Sequence, residues 1–400
     1  MTRASESSHF SRSAEFRGLA PLVATVFFGF LSVSVPLAAL PLQIHDVFGF
    51  GTLMVGCVIG LQSLAAVATR HRAGTLCDYY GPRRAVLIGL PLAAVSGLFY
   101  LAAVVLPLGA WGGLAVILAG RVIAGCGESL FLTGAMSWGI GRIGATRTGK
   151  VMAWQGIALY AALGAGAPIG LAVQHAGGFE AVAFATMAPP LLAGLVAYVV
   201  PGVAALGTQR VPFHRVLGLI WRPGVVLTLA TVPFAGMAAF LALDYAERGW
   251  ADPGLALAGF GAAYILVRLF FAHLPDKLGG ARVAAVSLII EAAGQALLWL
   301  APNPAAAFAG ACLTGLGFSL IFPSMGVEAT RRVAPDQRGR AVGNFIAFFD
   351  LAVGFTGPVI GLFAGWFGYS SIFLIGALAT LAAFFLLGGV RRMAPVAATS

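Results

Sequence analysis

Charge is what this sequence has least of: only 10% of its 400 residues are Asp, Glu, Lys or Arg, whereas 60% are hydrophobic. With a mean hydropathy of +0.93, the chain falls outside the composition of a soluble globular domain, in which charged residues make up about a quarter. The four cysteines, Cys57, Cys77, Cys126 and Cys312, show neither CxxC nor Cys/His ligand spacing. That excludes a disulfide framework and a metal site as organising features, and no cofactor is expected. No Walker GxxxxGK[ST] loop is present to bind a nucleotide, and no HExxH, GxSxG or cluster of aspartates to serve an enzyme. Every predicted loop is short, which speaks against a receptor or sensor carrying a soluble domain. The isoelectric point near 10.0 does not indicate nucleic acid, because the basic residues are scattered rather than gathered on one face.

What the chain does have is a succession of apolar runs. A bilayer core of roughly 30 Å needs about 20 apolar residues per helix. Cutting at polar and Gly/Pro-rich breaks gives twelve predicted segments: 19–41, 51–70, 85–107, 112–137, 151–173, 180–202, 223–244, 254–273, 283–301, 304–326, 341–365 and 369–390. Residues 1–18 are polar, without a convincing cleavage site, and read as a cytoplasmic tail. Residues 19–202 and 223–390 then form two six-helix bundles, with a linker over 203–222 and a C-terminal tail over 391–400. The linker carries Arg210, His214, Arg215 and Arg222 beside Phe213, Leu219 and Trp221, a mixture suited to a membrane surface.

Basic residues resist translocation and collect on the cytoplasmic side. With both termini inside, all of the 24 lysines and arginines except Arg121 and Arg248 are cytoplasmic or at that interface. Six of the seven tryptophans fall near predicted helix ends, as interfacial anchors do. The basic isoelectric point is thus a signal of topology.

The halves also resemble one another. A shift of 198 residues lays Arg70 on Arg268, Leu76 on Leu274, Asp78 on Asp276, Gly81 on Gly279 and Arg84 on Arg282. A shift of 190 lays Gly125 on Gly315, Gly149 on Gly339, Gly164 on Gly354 and Pro168 on Pro358. The two bundles read as copies of one unit in the same orientation, a signature of secondary transporters.

"GTLCDYYGPRR", Gly74 to Arg84, resembles the loop between helices two and three of the major facilitator superfamily. Gly74, Leu76, Asp78, Tyr80, Gly81, Arg83 and Arg84 match that pattern, while Tyr79 and Pro82 stand where a basic residue is usual. The resemblance implies a conformational latch built from Gly74, Asp78, Gly81, Arg83 and Arg84, with a degenerate copy at Asp276. "RVIAGCGE", with Arg121, Gly125 and Gly127, is similar to a second motif of the superfamily, in which a membrane arginine takes part in proton coupling; Ala124 replaces the usual glutamine. "LGAGAPIG", with Gly164, Gly166, Pro168 and Gly170, resembles the Gly/Pro motif of exporters, although helix packing alone also explains it. "VPLAALP", "GAPIG", "GFSLIFP" and "FFDLAVGFTGP" are similar to the YhhS branch, whose members look like inner-membrane exporters of undefined substrate. The resemblance covers nearly the whole chain.

An ionisable side chain at the bilayer centre costs about 2.5–3.5 kcal/mol on insertion scales, so each one asks for a reason. Arg121 and Glu128 lie two turns apart on one stripe of the fourth segment and form a candidate relay for protons or substrate. Asp350, some ten residues into the eleventh segment, is a second candidate for proton coupling, with a structural hydrogen bond as the alternative. Glu291 and Gln295 share a face of the ninth segment and are expected to bind neighbouring helices, though the sequence leaves Glu291 open. Ser32, Ser34, Gln62, Tyr160 and Asp244 are further polar groups that could line a path.

The expected protein is therefore an all-α, twelve-helix transporter in a bacterial inner membrane, with both termini cytoplasmic. It works as a monomer by alternating access, exporting a small organic solute in exchange for protons. Uptake by proton symport is the alternative, and a polytopic membrane enzyme a distant third. Its partners are the solute, protons and lipid.

Overall fold

The computed structural model describes residues 2–144, 148–205, 213–331 and 338–391, all helix or short connection, with no strand among them. In a bilayer every backbone N–H and C=O must be satisfied within the chain, and an apolar run achieves that by becoming a helix. Among the described residues eleven helices are long and apolar enough to cross a membrane. One of them, Thr148–Val199, spans 52 residues, about 78 Å at helical rise and far more than one crossing needs. Gly177 (φ −148°, ψ 20°) and Gly178 (φ 68°, ψ −172°) break it into two, so the described residues make twelve crossings.

In chain order these are α1 (Thr2–Ser34), α2 (Thr52–Tyr80), α3 (Pro82–Val105), α4 (Gly109–Ile143), α5 (148–176), α6 (179–199), α7 (Phe213–Glu247), α8 (Pro253–Phe271), α9 (Gly280–Trp299), α10 (Pro304–Phe318), α11 (Arg338–Phe367) and α12 (Ser371–Arg391). α1 is prolonged by Ala39–Leu42 and a π-helical turn over Gln43–Val47, and α10 by Ile321–Thr330 after a break at Ser319 and Leu320. Prolines open α3, α8 and α10, where the missing N–H costs nothing, and at α10 the Asn303 side chain also accepts from the Ala306 N–H at 2.9 Å. α1 begins at Thr2, so residues 2–18 are helical. Linker residues 206–212 and tail residues 392–400 lie outside the described residues.

The reading of Gly74–Tyr80 as loop needs correction. α2 continues through this stretch with Ala73 and Cys77 on its buried face. Gly81 alone makes the turn, with φ +88° and its N–H bonded to the Cys77 carbonyl at 3.1 Å. Its repeat mate Gly279 has the same φ, and both positions use glycine because a side chain disfavours that backbone region.

The repeats pack alike. A Cβ on Gly125 would strike the Gln62 carbonyl, and one on Gly315 the Phe260 carbonyl. Gly127 abuts Gly89 and Ala93, and Gly317 abuts Ser287 and Glu291. The same offsets of 198 and 190 relate the members of each pair, so the sequence repeat is a repeat of helix contacts. Large side chains such as Leu195, Phe270 and Phe385 are left exposed on the outside of the bundles, as a lipid-facing surface requires.

The bundle α1–α6 meets the bundle α7–α12 through α2 against α11, α5 against α8, and the far end of α1 against α7. The first two seams are backbone against backbone. Gly56 faces Gly357, Gly60 faces Gly354, and Thr52 faces Gly361; on the other side Gly164 faces Gly261 and Pro168 faces Gly254. Gly166 and Gly170 instead seat α5 on Ser34 and Val35 of α1, where the Ser34 hydroxyl donates to the Ala162 carbonyl at 2.7 Å. The seams close the half of the molecule away from the chain termini. There His45 and Tyr369 also hydrogen-bond across the interface at 3.2 Å, and burial pushes the Tyr369 phenol up to about 12.

A leucine at Gly164 or Gly357 has no room, and overpacking of this kind costs about 1–3 kcal/mol, a shift of tenfold or more for most of that range. Spin labels at the exposed Val47 and Trp366, in a background lacking native cysteines, should show the two bundles separating at this end in Gly357→Leu. An unchanged distance distribution would mean that the seam does not set the closed state.

Candidate functional site

Four polar side chains converge where α2, α4 and α11 meet. Gln62 and Arg70 lie two turns apart on α2, Glu128 on α4 and Asp350 on α11. The Gln62 Nε2 donates to the Glu128 Oε2 at 2.8 Å. The Arg70 guanidinium forms an ion pair with Asp350, across the interface between bundles. Glu128 and Asp350 are 5% and 3% exposed, and Glu128 lies within the fields of both Asp350 and Arg70. One arginine is thus bonded to one of two buried carboxylates and within the field of the other, and its Nε has no acceptor among the described residues.

Arg121 makes no direct contact with Glu128, as their two-turn spacing on α4 implies, and its bonds go to backbone. Its Nε donates to the Val58 carbonyl at 3.0 Å and its Nη2 to the Ile59 carbonyl at 2.9 Å, which ties α4 to the middle of α2. Those carbonyls have a second lone pair to offer beyond their helical bonds. Arg121 acts on Glu128 through its field rather than by contact.

The repeat offsets carry this quartet onto a second one of different chemistry. Gln62 maps to Phe260, Glu128 to Phe318, Arg70 to Arg268 and Asp350 to Tyr160. Arg268 is 5% exposed, and its Nη1 donates to the Tyr264 hydroxyl at 3.1 Å and the Ser319 carbonyl at 2.8 Å. Tyr160 stacks on Tyr264 with centroids 3.9 Å apart, and Phe318 lies edge-on to Tyr160 at 6.0 Å. Phe234 stacks on Phe260 at 5.6 Å, on Phe318 at 5.9 Å and on Phe349 at 6.1 Å. Sequence reasoning singled out Glu128, Asp350, Gln62 and Tyr160 but not Arg70, Arg268 or these phenylalanines as site residues. The offsets were the signal that would have found them.

Of the remaining candidates, Gln295 binds its neighbours, with its Nε2 3.1 Å from Thr314 Oγ1 and 3.4 Å from Met237 Sδ. Glu291 is fully buried and neither of its oxygens has a partner among the described residues. Asp244 pairs with Arg248 at 3.1 Å, and the Ser32 hydroxyl donates to the Gly29 carbonyl at 2.7 Å, so neither is aimed at the central quartets.

Around the α2–α3 turn, Arg83 donates from its Nη2 to the Tyr198 carbonyl at 2.7 Å and lies over the Tyr198 ring. That contact is within one bundle. Arg84 sits over the Tyr80 ring, 6.0 Å from its centroid. Asp78 is half-buried and makes no hydrogen bond or ion pair to the other bundle among the described residues, and Asp276 is exposed. Among the described residues the latch side chains make no contact across the interface in this conformation.

A family model described as Major Facilitator Superfamily matches residues 22–251 and 241–399. An MFS-type transporter of Salmonella typhimurium is 43% identical over 361 residues, covering 90% of this chain and 92% of its own. One of Pseudomonas aeruginosa is 43% identical over 388 residues, 93% and 92% of the two chains. Among solved structures, the human organic anion transporter MFSD10 (TETRAN) superposes with a TM-score of 0.70 at 17% identity, over 93% of this chain and 99% of that one. A mutant form of the nucleoside transporter NupG gives 0.72 at 16%, with the same coverage. The last two likenesses establish the fold, and the first three establish the family: this chain belongs to the Major Facilitator Superfamily of secondary transporters.

Proposed function

We propose that this transporter exports a small organic solute in exchange for protons, and that Arg70 is exchanged between Asp350 and Glu128 as it does so. The observation that carries this reading is the single guanidinium paired across the bundle interface with one carboxylate while a second stands within its field. In the described conformation Arg70 and Asp350 hold α2 to α11. When Asp350 takes a proton from water, its side chain loses the charge that made the bond strong, and Arg70 is free to turn to Glu128. The interface then loosens at that point, and loss of the proton restores the pair. Coupling follows because protonation changes the bond that holds the two bundles together in this conformation.

The remaining features fit the same frame. The distribution of basic residues supports cytoplasmic termini and an inner membrane. The motifs quoted above support placement in the YhhS branch, and the working unit in this reading is the monomer. On this topology the seams close the outer side, and Asp78 awaits its partner in the opposite state. The solved neighbours, one described as carrying organic anions and the other nucleosides, are consistent with a small organic cargo.

In inside-out vesicles with an acidified lumen, a panel of solutes should reveal at least one whose addition releases protons from wild type. Asp350→Asn and Glu128→Gln should lower that release at least tenfold; wild-type release in both variants would remove the coupling assignment. Proton entry that accompanies inward movement of the solute would instead establish symport.

Removing one member of a buried ion pair typically costs about 3–5 kcal/mol. Arg70→Ala should therefore lower thermal stability in detergent clearly, and the exchanged pair Arg70→Asp with Asp350→Arg should recover part of the loss. For the latch, Asp78→Asn should leave stability near wild type, since no described residue of the other bundle pairs with the aspartate in this state, but slow transport several-fold.

A further inference from the structure

Arg268 is the repeat mate of Arg70, yet the carboxylate that Arg70 meets is replaced at the equivalent place by Tyr160. Among the described residues no acidic side chain pairs with Arg268; its bonds go to a phenol and a backbone carbonyl, both through Nη1. The Nε and Nη2 edge, the one that grips a carboxylate side-on, makes no hydrogen bond to the described residues. A side chain on the neighbouring Gly156 would come within 3.0 Å of Nη2, so glycine there keeps the approach to that edge open. Beside the guanidinium stand the Tyr160–Tyr264 stack and the Phe234, Phe260 and Phe318 rings, contributed by both bundles. Next to them is an apolar cavity of about 20 Å³ lined by Leu37, Ala38, Leu163, Ala167, Phe234 and Phe260, among others. It has room for about one water molecule, and its walls again come from both bundles, so it widens when they separate.

A buried arginine without a counter-ion, at the edge of an aromatic platform on the moving interface, is a site for an anion with an apolar body. We propose that Arg268 binds the anionic group of the cargo, that the aromatic cluster receives its body, and that the cargo is therefore an organic anion, a carboxylate or sulfonate. The supplied anion completes the second quartet as Asp350 completes the first. This inference rests on the transporter reading but not on proton coupling.

The test uses the purified full chain in detergent and follows its thermal stability against 1-naphthoate, with 1-naphthamide as a neutral isostere. Naphthoate should stabilise wild type saturably, with an affinity at least tenfold above that of the amide. Arg268→Gln should abolish the preference for the acid, and Arg268→Lys should retain it in weakened form. Gly156→Ala, which leaves Arg268 in place, should lower naphthoate affinity several-fold; it also serves if Arg268→Gln does not fold. Equal responses to acid and amide in wild type, no response to naphthoate, or an undiminished preference in Arg268→Gln or Gly156→Ala would each overturn the assignment. A protein that binds naphthoate through Arg268 but releases no protons on any solute keeps this site and loses the antiport reading. The reverse result keeps antiport and removes the site.

Discussion

The arrangement depends on one constraint: a charge in a hydrocarbon layer must find its complement inside the protein. Arg70 and Asp350 meet that demand across the boundary between two bundles that must separate for transport to occur. Arg121 meets it within one bundle, by borrowing backbone carbonyls of α2. The difference matters mechanically. A bond inside a bundle stiffens the moving body, whereas a bond between bundles is a term in the equilibrium between conformations. The glycine seams bring α2 to α11 and α5 to α8 closely enough for these polar contacts to form at their inner ends.

The gross fold was legible in the sequence because a bilayer imposes a length and an apolar content on every crossing. The break at Gly177 and Gly178 was legible for the same reason, as a polar gap between two apolar runs. Gly74–Tyr80 misled because its residue types resemble a turn, yet helical bonding and the buried face at Ala73 and Cys77 carry α2 to its last possible residue. Glu128 and Asp350 stood out singly as isolated charges. Their shared arginine did not, since Arg70 lies near the end of an apolar run and is equally well explained as a topological signal. The aromatic cluster was hidden for another reason: phenylalanine among apolar residues carries no contrast, and only three-dimensional assembly shows six rings from five helices facing one another.

The internal repeat shows how the two halves have diverged. Contacts that set helix spacing are kept at matching positions, as Gly125 and Gly127 correspond to Gly315 and Gly317. Side chains that face the interface between bundles are not kept. Glutamine, glutamate and aspartate on one side become phenylalanine, phenylalanine and tyrosine on the other, and only the arginine persists. A symmetric scaffold thus presents a charged wall and an aromatic wall.

Exchanging the second aspartate for Tyr160 has an electrical consequence. Arg70, Arg121 and Arg268 contribute three positive charges near the interface, and Glu128 and Asp350 two negative ones. With both carboxylates ionised the region carries one surplus positive charge, which a bound monoanion cancels. A charge moved across the full membrane field is worth about 2.3 kcal/mol per 100 mV. With an anion bound at Arg268 as proposed, the resting voltage of the cell would act differently on the empty and the loaded carrier, and would bias the direction in which each prefers to turn.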